Sequence, residues 1–107
     1  MAQIIWTDPA LSDLNEIADY IALDNLSAAK RLVQKVFSGI DRLEKLPESG
    51  RNPPELSNSL YREVVVDPCR VFYRNDKADS KVYILHIMRS ERQLRKYLID
   101  ERSNRES

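Results

Sequence analysis

Histidine and cysteine occur once each in this chain, as His86 and Cys69. A lone cysteine cannot close an internal disulfide, which points to a reducing compartment. One Cys and one His cannot supply the four soft ligands of a structural zinc site, so no metal is expected. No apolar run of about 18 residues occurs, and no charged stretch followed by an apolar one opens the sequence. A soluble, cytoplasmic protein without a membrane role is therefore expected. Repeats and low-complexity tracts are absent. Net charge is missing too, because 17 basic and 17 acidic side chains cancel. That balance argues against binding nucleic acid through bulk charge alone.

What is present is one domain's worth of chain, 107 residues, enough for a modest core without disulfides. Its charge is unevenly spread. Residues 1–50 hold 5 basic and 8 acidic side chains, and residues 51–107 hold 12 and 9. The cationic end is the second half.

Gln3-Ile4-Ile5-Trp6 reads as a short strand. Thr7 and Asp8 can each cap a helix, and Pro9 suits its first turn. Leu11, Leu14, Ile17, Ala18 and Ile21 then recur at helical spacing up to about Leu23. Ser27 is placed to cap a second helix with the stripe Ala29, Leu32, Val33, Val36, Phe37, Ile40 and Leu43, which Pro47 ends. The short connection makes the pair an antiparallel hairpin. Gly39 suggests a close crossing with the first helix. Pro47 to Ser59, with three prolines, Gly50 and Arg51, must be a loop.

Three strands follow, at 60–66, 69–74 and 81–88, joined by short turns and hence antiparallel neighbours. A short helix is expected over 93–99, and the polar tail 100–107 is expected to fray, leaving residues 1–99 as the domain. The fold class is α+β, β-α-α-β-β-β. A helix hairpin packs on one face of a small, mainly antiparallel sheet, the first strand pairs with an edge of the meander, and the other face stays partly open.

Period-two alternation puts Arg70, Phe72 and Arg74 on one face of the third strand. Val71 and Tyr73 face the helices, so Arg70 and Arg74 should point outward. Register in the fourth strand, and so the face that carries His86, is not fixed by alternation. His86 is the only side chain that ordinarily carries protons near neutrality. It is either a general acid–base or a strand histidine with one satisfied hydrogen bond. The second reading is better founded, since no nucleophile or carboxylate stands at a fixed spacing from it. Cys69, beside Arg70, is either an activated thiol or an inert turn cysteine. Tyr61, Tyr73 and Tyr83 could stack on bases or simply edge the core. Arg62, Arg70, Arg74, Arg89 and Arg92 crowd the meander and its exit. Guanidinium groups present five fixed donors to phosphate or carboxylate, so an anionic target is suggested. Scattered strand arginines also make surface ion pairs of little energetic weight.

These residues carry a resemblance. Trp6-Thr7, Ala10, Asp13-Leu14, Ile17 and Tyr20-Ile21 are followed by Ala28-Ala29, Leu46-Pro47 and Gly50-Arg51. Arg62-Glu63, Arg70-Val71, Tyr73-Arg74, Val82, Ile84-Leu85, Ile87, Arg89 and Arg92 complete the series. In this order and spacing, across residues 3–98, the chain resembles the RelE/ParE superfamily of bacterial type II toxin–antitoxin toxins. RelE-like members are ribosome-dependent ribonucleases that use basic residues and a late tyrosine. ParE-like members share the fold and poison DNA gyrase. Both are silenced by a cognate antitoxin.

Under the ribonuclease alternative the resemblance implies Arg62, Arg70 and Arg89 as phosphate-stabilising groups, with His86 or Tyr97 moving protons on ribosome-bound mRNA. Ser90 stands where that pattern has an arginine, and the late tyrosine falls on Lys96 with Tyr97 one place away. The long helices opening Ala10-x-x-Asp13-Leu14, and Gly50-Arg51, resemble the ParE branch. That branch implies a gyrase-directed toxin of a plasmid- or chromosome-stabilising system, with an antitoxin partner and neither cofactor nor catalytic residue. Arg51, Arg62, Arg70, Arg74, Arg89 and Arg92 would then bind the target. A toxin fold that has lost toxicity is a third alternative.

Overall fold

A computed structural model describes residues 1–57 and 59–106. Strand β1 is Gln3–Trp6 and helix α1 is Asp8–Ala22. Thr7 is the cap that α1 uses, with its hydroxyl accepting from the Ala10 amide, and Pro9 fills the first turn. Helix α2, Leu26–Asp41, begins two residues earlier than a Ser27 cap would place it. Asn25 Oδ1 accepts the Ala28 amide at 3.0 Å and does the capping instead. One 3-10 turn, Arg42–Glu44, ends the hairpin.

Strands β2 (Tyr61–Val66), β3 (Cys69–Asp76) and β4 (Lys81–Arg89) pair antiparallel in sequence order. β1 adds to β4 in parallel, Gln3 opposite Lys81 and Trp6 opposite Ile84, giving the mixed order β1-β4-β3-β2.

The hairpin covers one face of this sheet. Leu14, Leu32, Val36, Ile40 and Leu43 bury against Val64, Val66, Val71, Tyr73, Val82, Ile84 and Ile87. Each such aliphatic side chain contributes about 1.5–3 kcal/mol on burial. Trp6 packs at the rim, its ring 4.5 Å from that of Phe37. Gly39 does not mark a crossing of the helices. A Cβ there would stand 3.0 Å from Val66 Cγ2, so the close approach is between α2 and β2.

The opposite face is not open. There Leu56 of the loop before β2, Leu94 of the segment after β4 and Ile99 of a C-terminal helix α3, Lys96–Arg105, form a second cluster with Tyr61, Phe72, Tyr83, Leu85 and Met88 of the sheet. The expectation of a helix over 93–99 and a frayed tail over 100–107 is corrected by this helix. Asp100–Arg105 are helical, and Ile99 and Ser103 are buried. Residue 107 lies outside the described residues.

Strand β4 departs from simple alternation. Phe72 pairs with His86 but Tyr73 pairs with Ile84, which leaves Leu85 as the extra residue of a bulge. Val82, Ile84 and Ile87 therefore face the hairpin while Tyr83, Leu85 and Met88 join the second cluster.

Candidate functional site

Alternation sets Glu63 of β2 and Arg70 of β3 on the second face. Their register, Glu63 opposite Phe72 and Val65 opposite Arg70, makes them diagonal neighbours. Both are buried, at 1 % and 6 % exposure. Arg70 Nε and Nη2 donate to the two Glu63 oxygens at 2.6 and 3.1 Å. Nη1 and Nη2 donate to Glu55 at 2.8 and 2.6 Å, and Nη1 also donates to the Arg92 carbonyl at 3.1 Å. All five guanidinium donors are thereby engaged.

The surrounding loops are tied to the same node. Glu55 accepts the Leu94 amide at 2.9 Å. Arg51 exchanges both backbone hydrogen bonds with Glu63 and adds an Nε–Oε1 pair at 3.0 Å. Gly50 makes this possible, since its amide donates to Tyr73 Oη at 2.9 Å and a Cβ would lie 2.6 Å from that oxygen. Hydrogen bonds from Arg70 hold the Glu55 carboxyl down at about 2, against burial, and the two carboxylates push the Arg70 guanidinium up.

A second ionic cluster joins three elements. Past Trp6, β4 has no strand partner on the β1 side. There Asp13 of α1 accepts the Ile87 amide at 3.0 Å, and Arg102 of α3 donates to the Leu85 carbonyl at 3.1 Å. Asp13 and Arg102 pair at 2.6 Å, and His86 Nδ1 lies 2.8 Å from Asp13 Oδ2. Burial pulls the Asp13 carboxyl up, but the hydrogen bonds from His86, Arg102 and Ile87 together leave it below its ordinary value.

The arginines singled out in the sequence do not converge. Arg70 was expected outward. It does lie on the face away from the hairpin, but loops and carboxylates seal it, because a half-covered sheet left room for the second layer. Arg62 is on the hairpin face, its Nη1 donating to the Gly50 carbonyl. Arg74 lies 4.9 Å over the Tyr83 ring, and its Nε is buried without a partner among the described residues. Arg51 and Arg70 line one cleft of about 790 Å³, while His86, Arg89 and Arg92 line another of about 1080 Å³ beside α1. Arg89 pairs with Glu91 at 3.0 Å. Tyr97 is exposed on α3. Cys69 is buried and burial pushes its thiol up, away from a reactive thiolate. Tyr61, Tyr73 and Tyr83 are all buried. Among the described residues no group of three or more His, Cys, Asp and Glu side chains could hold a metal, and no helix is long and apolar enough to cross a membrane.

Sequence reasoning missed Glu55, Glu63, Asp13 and Arg102 as parts of these clusters. Glu63, an acid at an inward position of a valine-rich strand, was the one available signal. Arg102 gave none, because α3 lacks an apolar stripe.

Residues 4–94 match the family described as the ParE toxin of the type II toxin–antitoxin system parDE. The chain is 39 % identical over 92 residues to Toxin RelE2 of Caulobacter vibrioides, covering 86 % of this chain and 99 % of that one. It also superposes on a chain of the chromosomal ParDE toxin–antitoxin system of P. aeruginosa with a TM-score of 0.70 at 26 % identity, covering 85 % and 98 % of the two chains. A chain of the toxin–antitoxin complex RelBE2 from Mycobacterium tuberculosis shares the fold, with a TM-score of 0.56 at 19 % identity over 82 % and 96 %.

Proposed function

Given that this chain belongs to the ParE toxin family of type II toxin–antitoxin systems, we propose that it acts by binding DNA gyrase and is neutralised by a cognate antitoxin. The observation that carries this reading over ribonuclease chemistry is the state of Arg70. Phosphoryl-transfer catalysis needs preorganised cationic donors aimed at developing charge, and losing one such donor costs on the order of a hundredfold or more in rate. Arg70 spends its five donors on Glu55, Glu63 and the Arg92 carbonyl. Ser90 supplies no charge beside it. The exit of β4 offers cations to a macromolecular target, since Arg92 and Arg95 are exposed and make no ion pair among the described residues and Arg89 holds only a surface pair.

Support for an antitoxin partner comes from the ParDE and RelBE2 systems that share the fold and from the hairpin tip. There Tyr20, Leu23 and Leu26 are exposed, Leu23 at 82 %. Clustered exposed apolar side chains mark interaction surfaces.

The name of the Caulobacter relative, Toxin RelE2, favours a second reading, a ribosome-dependent endoribonuclease. Two assays on purified protein separate them. Inhibition of gyrase supercoiling with intact ribosome-bound message is the expected result. Message cleavage with supercoiling untouched would overturn the gyrase reading in favour of the enzyme.

A further inference from the structure

We propose that Glu55 is a positioning residue for target binding, which fixes the segment after β4 so that Arg92 and Arg95 meet the target as a preorganised cationic pair. The inference rests on the reading that the exit of β4 engages the target, and it names what holds that exit in place. Residues 90–95 lie between β4 and α3 and belong to neither. Five of the six are exposed and Leu94 alone is buried. One apolar anchor is too little to keep such a segment on a single backbone path, because each ordered residue gives up conformational freedom. Hydrogen bonds must supply the rest.

Two of them are local to the start of the segment. The Ser90 amide donates to the Pro68 carbonyl at 2.9 Å, and the Arg92 amide to the Arg89 carbonyl at 3.1 Å. The other two come from the buried ionic network and flank Gln93. Arg70 Nη1 donates to the Arg92 carbonyl at 3.1 Å, and the Leu94 amide donates to Glu55 Oε2 at 2.9 Å. Oε2 also accepts from the same Nη1 at 2.8 Å, which closes a ring through Nη1, Oε2 and the backbone from Arg92 to Leu94. Oε1 accepts from Arg70 Nη2 at 2.6 Å, so the carboxylate is held through both oxygens. A two-point pair of this kind fixes direction as well as distance. The ring is also referenced to the sheet. Arg70 is bound to Glu63 of β2, and Leu56, next to Glu55, is buried in the second cluster.

The consequence falls on the side chains. The Arg92 carbonyl and the Leu94 amide are turned into the network, and the Leu94 side chain is buried. The Arg92 and Arg95 side chains are left at the surface, along the cleft beside α1. A segment ordered in advance does not lose its freedom at the moment of contact, and affinity gains by the difference. Glu55 lines the other cleft, with Arg51 and Arg70, and acts through the segment it holds.

Two measurements on the full chain test this. In Glu55→Ala the backbone order parameters of residues 91–95 should fall from about 0.85 to below about 0.6, while those of β3 stay as they are. Inhibition of gyrase supercoiling should weaken about tenfold in the same variant, within the range of coupling between linked sites. On an Arg92→Ala, Arg95→Ala background the Glu55 change should cost less than about twofold, since no side chains remain for it to place. Ile40→Val, a hairpin-side change that also lowers the melting temperature, should leave inhibition unaltered. Unchanged order parameters, a full cost of Glu55→Ala that persists without the two arginines, or an equal loss in Ile40→Val would each overturn the proposal. Failure of the gyrase reading is a separate result. The wild type would then leave supercoiling untouched, and the same comparisons are scored on cleavage of ribosome-bound message.

Discussion

On the hairpin side of the sheet, Leu32, Val36 and Ile40 share one continuous cluster with Val64, Val71 and Ile84. On the other side, Phe72 and Leu85 share their layer with Arg70, Glu63 and Glu55, and Arg102 and Asp13 close its rim. The first layer is non-directional and tolerates sliding side chains. The second is directional, since its charges are acceptable only while every partner is in place. A small sheet covered on one face by a hairpin gains its second layer from loops and a polar helix, and such segments bring carboxylates and guanidinium groups with them.

The sharpest way to break this contrast is Arg70→Ala. It strands Glu63 at 1 % exposure with only Arg51 to pair with. Removing one partner of a buried pair costs about 3–5 kcal/mol, and urea unfolding should show a loss of that size. A change below about 1 kcal/mol would mean that water or Arg51 compensates and that the second layer is as forgiving as the first.

Gly50→Ala probes the point where both layers meet. Its new Cβ would lie within 2.6 Å of Tyr73 Oη and 2.8 Å of the Glu63 carbonyl. Overpacking of this kind typically costs about 1–3 kcal/mol, visible as a lowered midpoint in the same titration.

Acid should separate the layers without mutation. Glu55 is held from 4.5 down to about 2 in the folded state by its hydrogen bonds to Arg70. Its contribution is fully present above its unfolded value and is lost as pH falls from about 4.5 through about 2. Denaturant midpoints across that window should drop more steeply in the wild type than in Glu55→Gln. Equal slopes would remove Glu55 from the account.

Arg92→Ala is the smallest expected change. Only the Arg92 backbone carbonyl serves the network, and its side chain is exposed. Stability should therefore move by less than about 0.5 kcal/mol.

The first layer was legible in the sequence and the second was not. Leu14, Ile17 and Ile21 in α1, and Leu32, Val36 and Ile40 in α2, repeat at the period that a buried helix face demands. The alternation of β2 held through Val66, and β1 was correctly assigned to a meander edge. The second layer draws on residues 51, 55, 63, 70, 92 and 94, whose meeting depends on loop paths that no local period encodes. The extra residue at Leu85 was invisible because the apolar run on both sides continues without a break. Arg70 was assigned to the right face, but its cover could not be foreseen while α3 read as a fraying tail.

The tilted pairing of Trp6 with Phe37 has a practical consequence. Trp6 is the only indole in the chain, and it sits against the hairpin-side core. Its intrinsic emission is a reporter confined to one layer of the molecule. A fluorescence transition will follow the departure of α2 from the sheet and does not report directly on α3. Far-ultraviolet dichroism counts both helical layers together, so the two signals recorded on one sample measure the layers separately without any label.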